Sequence, residues 1–280
     1  MKQLFIKSIA VAVFALAGQA GAAVVTVTPD DINKGGLNTW NTANYRGVAN
    51  GYTSFTTSGI LNERPRSGNG SVQMALTDGS GKVDLAYRWG FVAGRTLGNL
   101  DTLSYDWLRV GGGTATAHLQ PALRLNYDAD GNVDTEDDRG YLVWEQVYNG
   151  AGLVEDSWTS SDILAGNFWM RQFSPGNTVE NYDTTLAEWI GGAHPGAVAD
   201  LLGANTAILG LEFGIGSGWN GSFTGYVDNV TYGFGGNDAT TFNFETRASD
   251  VPEPGSFALL GLGIAAFAAA RKRKQAGSGN

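Results

Sequence analysis

The stretch "HLQPALRLNY", residues 118–127, decides the fold. Leu119, Pro121, Leu123, Leu125 and Tyr127 fall on one side of an extended chain, and Gln120, Arg124 and Asn126 on the other. An apolar–polar period of two marks a strand with one face on a core, whereas a helix would repeat every 3.6 residues. The same signal recurs on either side of it. Leu103, Tyr105 and Trp107 alternate with Thr102, Ser104 and Asp106. Further strands are predicted over residues 24–28, 71–77, 83–89, 141–148, 168–173, 208–215, 223–234 and 240–245, between Gly, Asn and Asp turns. Only 184–190 and 195–202 read as helices, and both are short. No repeat or long linker divides the stretch. The expectation is all-β: one β-sandwich of two antiparallel sheets over residues 24–246, with one or two short helices.

Composition removes several functions. The 280 residues include 41 Gly and 8 Trp but no Cys, which excludes disulfides, thiolate nucleophiles, iron–sulfur clusters and cysteine zinc sites. Two histidines, His118 and His194, are too few for a three-histidine metal centre. At 42% hydrophobic the chain can bury a real core.

The two ends read as addresses rather than fold. Lys2 and Lys7, the run "IAVAVFALA" and the small residues Ala20 to Ala23 form a secretory signal over 1–23, with cleavage expected at Ala22–Ala23. A linker, 247–254, carries Pro252, Glu253 and Pro254. An uncharged run from Gly255 to Ala270 and the basic cluster Arg271, Lys272, Arg273 and Lys274 make 255–274 a transmembrane helix with a cytoplasmic tail. Residues 275–280 are a flexible tail.

This ending resembles the PEP-CTERM sorting signal of Gram-negative bacteria, over Val251 to Lys274. The resemblance implies an exported protein held at the inner membrane until an exosortase processes it. It also implies an association with exopolysaccharide or biofilm at the cell surface.

Removing both ends changes the charge. Two of the 18 basic residues precede Val24 and four follow Asp250; of the 27 acidic residues only Glu253 is lost. The remaining body carries 12 basic against 26 acidic residues, a net charge of −14. Such a surface repels nucleic acid and favours divalent cations and neutral glycans.

The segments "GYLVWEQVYNG" (140–150), "GNFWM" (166–170) and "GIGSGWNGSFTGYVDNVTYGF" (214–234) resemble concanavalin-like jelly-roll domains of exported bacterial proteins. The resemblance implies a jelly-roll sandwich. The unit Asp228–Asn229–Val230 is similar to the closing strand of carbohydrate-binding jelly rolls, near a structural calcium, which makes Asp228 a further candidate ligand.

The sharpest local motif is "NYDADGNVDTEDD", residues 126–138. Read as a twelve-residue calcium loop, it offers Asn126, Asp128, Asp130, Asn132, Asp134 and Asp137 as Ca²⁺ ligands around Gly131. Asn at the first position, Asp at the last and flanking strands depart from the helical form of that loop. An acidic hairpin turn is the alternative. For glycan contact the candidates are Trp219 with Asn220 in the glycine-rich "GSGWNGS", and Trp40 in "NTWNTANY". An exposed indole stacks on the apolar C–H face of a sugar; a buried one packs the core. Glu145 and Glu212 are the carboxylates a glycosidase would use, but no paired-carboxylate strand motif supports catalysis. The expected activity is non-catalytic glycan binding. The alternatives are a purely structural or adhesive matrix protein, or a polysaccharide hydrolase.

Overall fold

The computed structural model describes residues 22–248, apart from 47, 50–52, 55, 80, 133, 151, 174–178, 193–199 and 217. The secretory signal up to residue 21, the Pro-Glu-Pro segment with its apolar run and basic tail, and His194 lie outside the described residues. So does most of the helix expected over 195–202.

Sixteen strands and one α-helix are described, besides three short 3-10 turns: β1 (Ala23–Val27), β2 (Trp40–Arg46), β3 (Val48–Ala49), β4 (Thr53–Ser54), β5 (Thr56–Leu61), β6 (Ser71–Leu76), β7 (Lys82–Arg88), β8 (Leu100–Arg109), β9 (Ala122–Asp128), β10 (Arg139–Trp144), β11 (Thr159–Asp162), β12 (Phe168–Gln172), β13 (Val179–Glu180), α1 (Leu186–Ile190), β14 (Ala207–Gly216), β15 (Phe223–Phe234) and β16 (Thr240–Phe244). One seven-stranded sheet runs β13-β12-β10-β9-β14-β7-β2. The other runs β1-β16-β15-β6-β5, with β8 and then β11 on the remaining edge of β15. Pairing is antiparallel except that β1 runs parallel to β16, from Ala23↔Thr240 to Val27↔Phe244. The all-β sandwich read from alternation is the observed fold, with that one parallel edge as a difference. It starts at Ala23, one of the two residues at the expected signal cleavage point.

The alternation in β9 is the one seen in the sequence. Leu123, Leu125 and Tyr127 enter the core between the sheets, and Arg124 and Asn126 stand on the outer face. The strand begins only at Ala122 because the preceding segment is used differently. The buried Arg109 guanidinium donates to the carbonyls of Ala115, Thr116 and Leu119, and the Tyr105 hydroxyl to that of Pro121. Those carbonyls are therefore satisfied outside a ladder.

β15 is the spine of the second sheet. Along one edge it pairs with β8; along the other, Phe223–Val227 pair with β6 and Val230–Tyr232 with β16. The hand-over falls at Asp228–Asn229, where Asn229 takes φ 49°, a left-handed value that Asn tolerates. Asp228 closes the gap. Its Oδ1 accepts the backbone N–H groups of Asn229 (2.8 Å) and Phe244 (2.9 Å), and its Oδ2 that of Ser67 (3.1 Å).

Trp40 is a core residue, 2% exposed, ringed by Tyr87, Phe213, Phe242 and Phe244 at centroid distances of 5.2–5.4 Å. It is no sugar platform, because its sequence position opens β2 with the side chain turned between the sheets.

Candidate functional site

The outer face of the β13–β2 sheet carries a groove of about 470 Å³. Three adjacent rows of the ladder build its floor. Ala86, Glu212, Arg124, Val143 and Trp169 are successive partners across β7, β14, β9, β10 and β12. One row along stand Arg88, Gly210, Asn126, Tyr141 and Arg171; one row back, Asp84, Gly214 and Ala122. These are the outward positions of strands whose alternate residues fill the core, so the pleat alone gathers them.

Arg124 is the centre of the floor. Its Nη1 donates to Asp84 Oδ1 (2.5 Å) and to Glu212 Oε1 (3.0 Å). Asp84 Oδ2 also takes Lys82 Nζ (2.9 Å) and Asn44 Nδ2 (2.8 Å). Glu212 Oε2 takes the Tyr141 hydroxyl (3.2 Å) and, more loosely, Arg88 Nη2 (3.5 Å). Both carboxylates are fully buried. The room for them comes from glycine: a Cβ on Gly214 would strike the Asp84 carboxylate.

One guanidinium is thus shared by two acids, and they divide unequally. Burial pushes the Asp84 carboxyl up, but Arg124 and Lys82 outweigh it and hold the group below the usual carboxylate range. Burial also pushes Glu212 up, and the neighbouring Asp84 charge adds to that, so Glu212 stays raised despite Arg124. Arg124 itself is held more firmly protonated: its two acids outweigh the cost of burial. Burial lifts the Tyr141 hydroxyl to about 12, so it is a hydrogen-bond donor at neutral pH.

Aromatic rings form the flank. Phe173, 44% exposed, meets the Tyr141 ring edge-on at 4.7 Å. Trp169 is half-buried and donates Nε1 to Glu145 Oε2 (3.0 Å). Burial raises the Glu145 carboxyl, against that hydrogen bond. Trp219 lines the groove but is not an exposed platform. It is 8% exposed, joins the core and packs edge-on against Phe223 at 5.0 Å. Glycine neighbours let its loop turn, and the indole folds inward onto β15. Asn220 is exposed and stands outside the groove lining.

The acidic hairpin lies at the far end of β9 and β10. Asp128, Asp130 and Asp138, rather than Asp137, bring carboxylate oxygens within 4.8 Å of one another. Asp137 is exposed, and Asn126 is buried on the sheet face two residues before the cluster. Asn132 and Asp134 make turn contacts instead: the Asn132 N–H donates to Asp130 Oδ1 (2.7 Å) and the Asp134 N–H to Asn132 Oδ1 (3.3 Å). Arg139 Nε holds Asp128 Oδ2 at 2.9 Å, and the Asp130 N–H holds Asp138 Oδ2 at 2.7 Å. The other oxygens, Oδ1 of Asp128 and Oδ1 of Asp138, are buried, and no donor among the described residues reaches them. Burial and the charges of Asp128, Asp130 and Asp137 raise the Asp138 carboxyl. Asp228 is remote in role as well as sequence: its oxygens are occupied by three backbone N–H groups at the strand joint.

The acidic cluster differs from the expected ligand set at Asn126, Asn132, Asp134 and Asp137: the two strands close the hairpin at Arg139↔Asp128, which brings Asp138 rather than Asp137 beside Asp128. The groove residues Lys82, Arg88, Arg171 and Trp169 had no motif to announce them. Their only signal was the shared outward parity within β7 and within β12, legible once the strands are laid side by side.

Residues 250–274 match the PEP-CTERM protein-sorting motif, which marks the chain as exported and sorted to the cell envelope. No curated protein sequence matches significantly. Among solved structures the chain is similar to a family 11 carbohydrate-binding module from Clostridium thermocellum in complex with a β-1,3-1,4-mixed-linked tetrasaccharide. That similarity has 13% identity, 77% of this chain, 94% of that one and a TM-score of 0.35. It is also similar to a β-1,2-glucanase from Parabacteroides distasonis (12% identity, 62% and 21% of the chains, TM-score 0.31). A sialidase is a third (8% identity, 70% and 17%, TM-score 0.30).

Among the described residues no helix is long and apolar enough to cross a membrane.

Proposed function

We propose that this chain is a non-catalytic glycan-binding protein of the cell surface or biofilm matrix, processed by an exosortase and anchored in the inner membrane until then. The observation that carries the reading is the groove: half-exposed rings beside fixed polar groups on one sheet face. Sugars offer apolar C–H faces to rings and hydroxyls to polar groups, and this surface supplies both. Its carboxylates support binding over hydrolysis. Glu212 accepts from Arg124 and Tyr141, Asp84 from Arg124, Lys82 and Asn44, and Glu145 from Trp169. Such groups position cations and rings; a glycosidase needs one acid presented to the scissile oxygen.

Trp169→Ala in the full-length chain should weaken binding to a polysaccharide by about 1–3 kcal/mol while leaving the melting temperature nearly unchanged. Isothermal titration against matrix polysaccharide checks it. Unaltered affinity would move the reading to a structural or adhesive protein.

A second reading concerns the hairpin, on the two orphaned buried oxygens of Asp128 and Asp138. An all-oxygen set with this charge suits a hard cation, so the loop is a calcium site with Asp128, Asp130 and Asp138 as ligands. Melting in calcium against chelator tests it.

A further inference from the structure

The rings of the groove do not stop at its edge. Trp169 lines the cavity, but its indole also lies 5.9 Å from the ring of Tyr182. Tyr182 in turn stands 4.6 Å from Tyr148, the two planes tilted by only 32°. Neither tyrosine lines the cavity, and neither joins an apolar core cluster. Tyr182 is 43% exposed and Tyr148 half-buried. Among the described residues neither phenol hydroxyl has a hydrogen-bond partner.

The ladder shows how the chain puts them there. β12 and β13 pair Met170 with Glu180 and Arg171 with Val179. Continued by two residues, that register would set Tyr182 opposite Phe168, a core residue. Asn181 breaks it: its φ of 26° is left-handed, which Asn tolerates, and Tyr182 emerges beside Trp169 instead. On the other flank β10 ends with Trp144 opposite Phe168, and Tyr148 follows in the turn beyond. Asn149 Nδ2 donates to the Asn167 carbonyl (3.1 Å), and the Asn167 N–H donates to Asn149 Oδ1 (2.6 Å). Asn167 Nδ2 holds the Tyr148 carbonyl at 2.8 Å, so the turn is fixed from two sides. Both tyrosines therefore stand on the Phe168 side of Trp169. Phe173, also in the groove lining, stands on the other side, about 13 Å from Trp169 along an extended chain. Phe173, Trp169 and the Tyr182–Tyr148 pair form one row that follows β12.

Rings that are exposed, outside the core and held in place by their own backbone bonds suit a partner with apolar faces at matching intervals. One sugar covers one of these rings, not the row. A polysaccharide with equatorial linkages stays extended and offers a C–H face at each unit, whereas axial linkages coil the chain away from a row along one strand.

We infer that Tyr182 and Tyr148 form a second aromatic platform, and that groove and platform together take the interior of an extended, equatorially linked polysaccharide laid along β12. The inference rests on the glycan-binding reading above and adds the class of chain and the part of it that is bound.

The test titrates the full-length chain with β-1,4-gluco-, β-1,4-manno- and α-1,4-gluco-oligosaccharides of two to eight units, and with matrix polysaccharide. For at least one β-1,4 series, affinity should rise at least tenfold from the disaccharide to the hexasaccharide. Tyr182→Ala should remove most of that rise while changing disaccharide affinity less than twofold, and Tyr182→Phe, which keeps the ring, should preserve it. The wild-type length series stands by itself if Tyr182→Ala misfolds. Affinity independent of length would overturn the second platform and leave glycan binding standing. Equal losses for disaccharide and hexasaccharide in Tyr182→Ala would also overturn it, since Tyr182 would then act only by bracing Trp169. An equal rise along the α-1,4 series would overturn the extended class of chain. Binding to matrix polysaccharide but to no oligosaccharide would overturn this inference alone; binding to none of the probes would overturn the glycan reading with it.

Discussion

One hairpin has two chemically opposite ends. At one end of β9 and β10, Arg124 sits between two buried acids, Asp84 and Glu212, and pairs with both. At the other end, Asp128, Asp130 and Asp138 crowd together with Arg139 as the cation in contact. Three residues of β9, Leu125 to Tyr127, separate the two. The difference shows that burial alone does not set the state of a carboxylate. Asp84 is fully buried and yet held low because Arg124 and Lys82 outweigh its burial; Asp138 is less buried and yet raised, because burial is joined by neighbouring acids rather than opposed by cations. Each end follows from the residues that the register brings alongside.

The largest expected effect breaks the balanced end. Arg124→Leu leaves Asp84 and Glu212 buried without their shared counter-charge. Stability should fall by about 3–5 kcal/mol, measured by denaturant unfolding. A loss under 1 kcal/mol would mean that Lys82 and Arg88 suffice to hold both acids. The contrast with the hairpin would then be one of cation number rather than of placement.

The unbalanced end should respond to a cation instead. With free calcium at about a hundred times its dissociation constant, mass action adds about 2.7 kcal/mol. Asp128→Asn with Asp138→Asn should abolish that gain and, in chelator, leave the domain as stable as wild type or more so, since like charges have been removed. An identical melting temperature in calcium and chelator for the wild type would return the loop to an acidic turn.

How much of this was legible in the sequence follows from what each signal depends on. Alternation is local, so β15 was read at its observed limits, 223–234, and the core parity of Leu123, Leu125 and Tyr127 was read correctly. β2, β5 and β11 were missed because Asn, Thr and Ser dominate them; their strand character comes from the neighbours they pair with. Side-chain exposure was less legible. Trp219 lies among glycines that give it no local cover, yet it is buried by Phe223 and the core across the turn. The groove depends on strands 40 to 130 residues apart meeting in register, as with Asp84, Arg124 and Glu212, and no spacing along one chain encodes that.

The smallest effect tests how a buried carboxyl fares when backbone amides stand where Asp84 has cations, and it uses Asp228. Like Asp84 this group is fully buried, but backbone N–H groups from Ser67, Asn229 and Phe244 take the place of the guanidinium. Burial outweighs those hydrogen bonds, Glu245 adds to it, and the carboxyl is lifted from 3.8 to about 7. The sign of the consequence is opposite to that of a salt-bridged acid. Between these two values the folded protein keeps a proton that the unfolded chain releases. The stabilisation is complete below about pH 3.8 and is lost as pH rises through 7. From pH 7 down to 5.5 the wild type should therefore gain about 1–2 kcal/mol from this residue. Asp228→Asn cannot titrate, so its stability should change less over the same interval, whatever the substitution costs at the strand joint. The quantity to compare is the slope of unfolding free energy against pH in the two proteins. Parallel slopes would mean that three backbone N–H groups keep a buried carboxylate ionised as well as Arg124 does for Asp84, and the contrast between cation and amide would fall.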